Sequence, residues 1–128
     1  MIRALLDTSV VIASAEALPL GPDDQAAISV ITIGELRAGV RLADDPEVRS
    51  VRQARFSTIR ATFEPIPVDE PIAYQYGELL ALARSEGRSS TATDLLIVAT
   101  AAATGRTVLT LDDRQASLAR AAGIPVSR

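Results

Sequence analysis

Residues 5–13 read Leu-Leu-Asp-Thr-Ser-Val-Val-Ile-Ala, and residues 107–113 read Thr-Val-Leu-Thr-Leu-Asp-Asp. In both stretches a short apolar run closes on an acid, and a helical pattern follows. Ala4 to Leu6, ending at Asp7, reads as a buried strand, and Val10 to Ala15 has helical character. Thr107 to Leu111 reads as a second strand, with a helix over Asp113 to Ala122 that Gly123 closes. Between them, Leu18 to Asp24 is a loop carrying Pro19, Gly21 and Pro22. Ala27 to Ile31 suits a strand, and Ile33 to Leu42 a helix introduced by Thr32. Asp45-Pro46 places an N-cap and a first-turn proline ahead of a helix running to about Ala61. Phe63 to Val68 reads as a short strand broken by Pro65 and Pro67. Asp69 to Glu86 is a helix with an apolar stripe of Ile72, Tyr76, Leu79, Leu80 and Ala83, stopped by Gly87. After a polar loop over Arg88 to Ala92, a helix spans Thr93 to Thr104 and ends at Gly105. Ile124 to Val126 suits a last short strand. Strands alternating with helices predict an α/β fold on a mostly parallel sheet. No linker or repeat divides residues 1–128, so a single domain is expected.

Composition removes whole classes of chemistry. All 13 cationic residues are Arg, against 16 acids, for a net charge of −3, and His, Cys, Lys and Trp are absent. There is no imidazole base or zinc ligand, no thiol, and no lysine for a Schiff base or a phosphate loop. Carboxylates, hydroxyls and arginines remain. No apolar run approaches the ~20 residues of a membrane span. The N-terminus shows no signal-peptide pattern, so a cytoplasmic protein with no membrane association is expected.

Four acids stand out by position. In parallel α/β sheets ligands bind beyond the carboxyl ends of the strands, and Asp7 and Asp112 each follow a strand. Each also suits the N-cap of the next helix, and both readings stand. Asp94 opens a helix whose inner stripe is Ile97, Val98, Ala101 and Ala102, where an unpaired carboxylate is costly. Glu35 lies three residues after Thr32, a capping-box spacing that also holds it at the same sheet edge. Four carboxylates converging without a basic partner would repel one another. A hard divalent cation, Mg²⁺ or Mn²⁺, resolves the conflict, and such ions activate water for phosphoryl displacement.

LLDTSVVIA with Asp7, SVITIGELRAG with Glu35, TDLLIVATAAATG with Asp94 and TVLTLDD with Thr110 and Asp112 follow in order over nearly the whole chain. In this the chain resembles PIN-domain ribonucleases, more narrowly the VapC toxins of type II toxin–antitoxin pairs. The resemblance implies a three-layer α/β/α fold with a mostly parallel sheet of about five strands. It implies that Asp7, Glu35, Asp94 and Asp112 form the metal-binding catalytic set for Mg²⁺ or Mn²⁺, with Thr110 and Ser9 as supporting hydroxyls. Asp113 directly follows Asp112 and is the alternative fourth acid; Asp112 keeps the Thr-x-Asp spacing. The family often carries an aromatic where this chain has Gln115.

The activity so implied is metal-dependent endoribonuclease cleavage of RNA, with a VapB-like antitoxin as partner and a homodimer as the usual assembly. A housekeeping PIN-type RNA-processing nuclease and an inactive PIN-like binding module are the alternatives. Receiver domains need a lysine that this chain lacks, and haloacid-dehalogenase phosphatases need an Asp where Ser9 stands. Arg37 and Arg41, four residues apart beside Glu35, are candidate contacts to RNA phosphate. Arg49, Arg52 and Arg55 recur on one helix face and read more simply as solvated.

Overall fold

A computed structural model describes residues 1–13 and 20–127. Its elements are β1 (Arg3–Leu6), α1 (Thr8–Ala13), β2 (Gln25–Ala27), α2 (Val30–Leu42), α3 (Pro46–Thr62), α4 (Glu70–Ser85), α5 (Ala92–Thr104), β3 (Thr107–Leu109), α6 (Asp113–Ala121) and β4 (Val126–Ser127). The expected elements thus fall within a few residues of their places. The ends of two expectations, the helix to Ala15 and the loop from Leu18, lie outside the described residues.

The strands form one parallel sheet in the order β2-β1-β3-β4. Alternation along each strand sends side chains to opposite faces. Leu5 and Val108 join Ile72, Leu79, Leu95, Ile97, Val98 and Leu118 from α4, α5 and α6. Ala4, Leu6 and Leu109 join Val10, Val11, Leu36 and Ile59 from α1, α2 and α3. The result is the three-layer α/β/α arrangement.

Among the described residues the sheet has four strands, not about five. The segment around Ile66 makes only an isolated parallel bridge to Ser29. Ile66 donates to the Ile28 carbonyl (2.9 Å) and accepts from the Val30 N–H (2.9 Å). Pro65 and Pro67 on either side have no N–H to donate, so the ladder cannot extend.

The strand expected over Ala27 to Ile31 also ends early. Ser29 is the N-cap of α2, its hydroxyl accepting from the Ile31 N–H at 3.0 Å. The helix therefore starts at Val30, and Thr32 is not its cap. At the far end of α5, Gly105 adopts φ +65°, a left-handed cap that suits glycine.

Candidate active site

The chain leaves β1 toward β2 on one side and has β3 on the other, so the crevice between β1 and β3 is the topological switch point of the sheet. Asp7 stands at its carboxyl edge, its N–H extending the ladder to the Leu109 carbonyl at 2.9 Å. Its side chain turns inward and does not cap α1; the residue is 5% exposed. Oδ2 accepts from the hydroxyls of Ser9 (2.7 Å) and Thr110 (2.8 Å), and Oδ1 accepts from the Gln115 amide (3.3 Å). A buried carboxylate is expensive unless bonded, and here three neutral donors meet it.

Both hydroxyls give their protons to Asp7, so their lone pairs are left to accept. Ser9 takes the Leu111 N–H (3.1 Å) and Thr110 takes the Asp112 N–H (3.0 Å). The turn after β3 is thereby pinned to the acid.

Gln115 is 3% exposed and spends both amide protons on the site: one on Asp7, the other on the Asp94 carbonyl at 3.1 Å. It bridges β1 to α5. Asp94 is half-buried in the first turn of α5, where Thr91 caps its N–H at 3.2 Å. Asp112 is exposed and caps α6: its Oδ1 accepts from the N–H groups of Arg114 (2.9 Å) and Gln115 (3.3 Å). Asp113, the first residue of α6, is also exposed.

Glu35 reaches this edge by a route other than the expected capping box. With the cap at Ser29, Glu35 falls in the second turn of α2, and Thr32 is fully buried. The Thr8 hydroxyl donates to Glu35 Oε1 at 2.7 Å and lies 3.0 Å from the Thr32 hydroxyl. Thr8 has one proton and gives it to Glu35, so Thr32 donates to Thr8. Glu35 is thus tied to the residue after Asp7.

One network therefore joins Asp7, Ser9, Thr110, Asp112, Gln115 and the Asp94 backbone, with Glu35 attached through Thr8. No three acidic side chains among the described residues stand grouped as a ready metal cage. Arg37 donates to Gln53 (3.0 Å) and sits over the Phe56 ring, bracing α2 on α3, while Arg41 is exposed. Gln115 is the site residue that the motifs do not single out. A signal exists in the sequence: it shares the inward face of its helix with Leu118 and Ala119, where a polar side chain needs a buried partner.

Comparison with known proteins fits this geometry. The PIN domain family model matches residues 4–121. Ribonuclease VapC5 of Mycobacterium tuberculosis is 35% identical over 127 residues, covering 97% of this chain and 93% of that protein. The crystal structure of VapBC-5, a member of the VapBC family of toxin–antitoxin systems from the same organism, has a TM-score of 0.85 at 37% identity, covering 100% of this chain and 99% of that one. FitAcB from Neisseria gonorrhoeae has a TM-score of 0.74 at 30% identity, covering 98% and 96%. The parallel sheet, the acids at its switch point and these matches place the chain in the PIN-domain family, alongside the VapC ribonucleases.

Proposed function

We propose that this chain is a divalent-metal-dependent endoribonuclease and the toxin of a toxin–antitoxin pair. The observation that carries the reading is the buried Asp7 carboxylate at the switch point, with no cationic partner among the described residues and with Glu35, Asp112 and the Asp94 backbone linked to its surroundings. Its likeness to proteins named ribonucleases and to toxin–antitoxin structures supports the same reading.

The donor set suits Mg²⁺ or Mn²⁺: carboxylates and hydroxyls, with no imidazole or thiolate in the chain. Mg²⁺ keeps several waters and uses one or two carboxylates plus substrate phosphate, so it does not require a closed cage. Asp7, Asp94 and Asp112 would hold it, with Glu35 coordinating or orienting water. Bound there, the ion supplies charge neutralisation at the phosphate and a more acidic water.

The chain's own residues do the rest. Ser9, Thr110 and Gln115 fix Asp7, and Thr8 fixes one oxygen of Glu35. The other Glu35 oxygen takes a proton from the attacking water as its oxygen bonds to phosphorus. The bond from phosphorus to the 3′ oxygen breaks; that oxygen stays on the upstream fragment and takes a proton from solvent water to become a 3′-hydroxyl, while the downstream fragment keeps a 5′-phosphate. An antitoxin of the VapB kind and a second copy of the chain are the expected partners.

The test is RNA cleavage by the purified, partner-free chain with Mg²⁺, with chelator, and as Asp94→Asn. Cleavage in the first alone, giving 5′-phosphate ends, is expected. Equal cleavage in all three overturns the reading.

A further inference from the structure

Next to the helical turn that carries Asp94, the end of α4, the following loop and the start of α5 enclose a cavity of about 280 Å³. Tyr76, Arg84, Arg88 and Ser90 line it, together with Ala92 and Leu95 from the first turn of α5. The wall contains two guanidinium groups and no carboxylate. Other cavities are mixed in sign: Glu78 accompanies Arg106 in one, Glu35 accompanies Arg52 and Arg55 in another, and Asp45 and Glu47 share a third with the same two arginines. With Glu86 offsetting part of the Arg88 charge from beside the wall, the lining keeps a net positive charge through Arg84, which in a chain of net charge −3 favours an anion.

Its arginines differ in a useful way. Arg88 is held in place: Nε pairs with Glu86 at 2.7 Å and Nη1 donates to Ser117 of α6 at 2.9 Å. Its Nη2 group is left for a ligand, on a fork already ordered and therefore cheap to use. Arg84, in the last turn of α4, forms no ion pair among the described residues. Fork-shaped guanidinium groups with hydroxyls from Tyr76 and Ser90 match phosphate oxygens, and a tyrosine ring can flank a sugar or a splayed base.

Position ties this cavity to the acids. Leu95 follows Asp94 directly and Ala92 stands two residues before it. Ser117, which holds Arg88, lies on the same helix as Gln115, which holds Asp7 and the Asp94 carbonyl. The volume lies below the ~300–1,000 Å³ of pockets that enclose a whole small molecule. It suits one phosphate-and-sugar unit of a longer strand.

We propose that the Arg84–Arg88 cavity is a phosphate subsite that holds the RNA backbone to one side of the scissile bond. The proposal rests on the ribonuclease reading above. Fluorescence anisotropy with labelled single-stranded RNA, in chelator so that nothing is cut, tests both separately. The wild-type chain should bind. Arg84→Gln should weaken binding about three- to tenfold, and removing one phosphate interaction should reduce the slope of log affinity against log salt by roughly 0.7. Arg88→Lys keeps the charge but gives up the fork, and should fall between wild type and Arg84→Gln. Arg60→Gln, on an exposed residue of α3, should change nothing. Arg84 pairs with no acid among the described residues, so Arg84→Gln should fold as wild type does; a matching melting temperature checks this. Wild-type binding with an unchanged Arg84→Gln slope overturns the subsite and leaves the ribonuclease reading standing. Inorganic phosphate binding that Arg84→Gln abolishes without altering RNA affinity overturns it too, since the site then serves a free anion. So does a loss confined to binding a protein antitoxin. Absence of wild-type RNA binding in chelator overturns the subsite; absence of both binding and cleavage with Mg²⁺ present defeats the ribonuclease reading as well.

Discussion

At the carboxyl edge of the sheet the buried Asp7 carboxylate accepts three hydrogen bonds from neutral donors, whereas at the amino edge the Arg106 Nε–H is buried with no acceptor among the described residues. Arg106 keeps one long contact, Nη1 to the Ala4 carbonyl at 3.4 Å, and loss of water around it, with Arg3 nearby, lowers its pKa below the usual arginine range. The amino edge also has the larger cavity, about 580 Å³, between the ends of α4, α5 and α6. Size therefore does not locate the chemistry. The proposed site is marked instead by a carboxylate that the fold orients with neutral donors and pairs with no cation among the described residues. Such a group attracts a cation, whereas the Arg106 Nε–H is buried without a partner among the described residues and the cavity beside it also holds Glu78.

The two edges should respond very differently to substitution, most of all at Asp7. Asp7→Asn keeps the shape but removes the anion, and cleavage should fall by on the order of 10³-fold, several kcal/mol of transition-state stabilisation. A cleavage assay at saturating RNA checks it. Next come the groups that hold Asp7. Gln115→Met and Thr110→Val leave buried acceptors or donors unmet, so each should lower unfolding free energy by about 1–3 kcal/mol. Each should also lower cleavage by about 10–100-fold, as residues that orient ligands do. Denaturant titration and initial rates read the two effects. Arg106→Met, at the other edge, should leave cleavage unchanged and, by removing a buried N–H with no acceptor among the described residues, should hold or raise the unfolding free energy by up to about 1 kcal/mol.

The smallest effect concerns Asp24, an acid at the amino edge. It accepts from the N–H groups of Ile2 (2.6 Å) and Gly21 (2.7 Å), which hold its pKa below the ordinary 3.8. A lowered folded-state pKa stabilises the fold above the unfolded-state value, and that contribution disappears as pH falls through the folded-state one. Asp24→Asn should therefore melt slightly below wild type at neutral pH, with the gap closing well below pH 3.8. Thermal scans across that range check it.

Much of this is legible in the sequence because it rests on local signals. Asp45-Pro46, Asp69 and Gly105 mark helix ends by capping chemistry that needs no tertiary partner. Alternating strands and helices imply the parallel sheet, and the sheet implies an edge where Asp7 and Asp112 must lie. What stays hidden depends on distant partners. Ser29 wins the cap of α2 over Thr32 because the chain leaves β2 to bond Ile66, a contact between segments far apart in sequence. Thr32 is then free to turn inward toward Thr8. Gln115 reads in the sequence as a departure from a family pattern, yet its role depends on Asp7 and Asp94, each on another element. Of the two readings of Asp112 the structure shows the cap: Oδ1 caps α6, and its N–H is held by Thr110 beside Asp7.

Everything proposed for this protein turns on whether the carboxyl edge, through Asp7, binds a catalytic divalent cation. Calorimetric titration of Mn²⁺ into the wild-type chain, Asp7→Asn and Arg106→Met decides it without relying on any RNA. Saturable binding by the wild type and Arg106→Met is expected, with its loss in a folded Asp7→Asn. Binding that survives unchanged in Asp7→Asn, or none in the wild type, would contradict it.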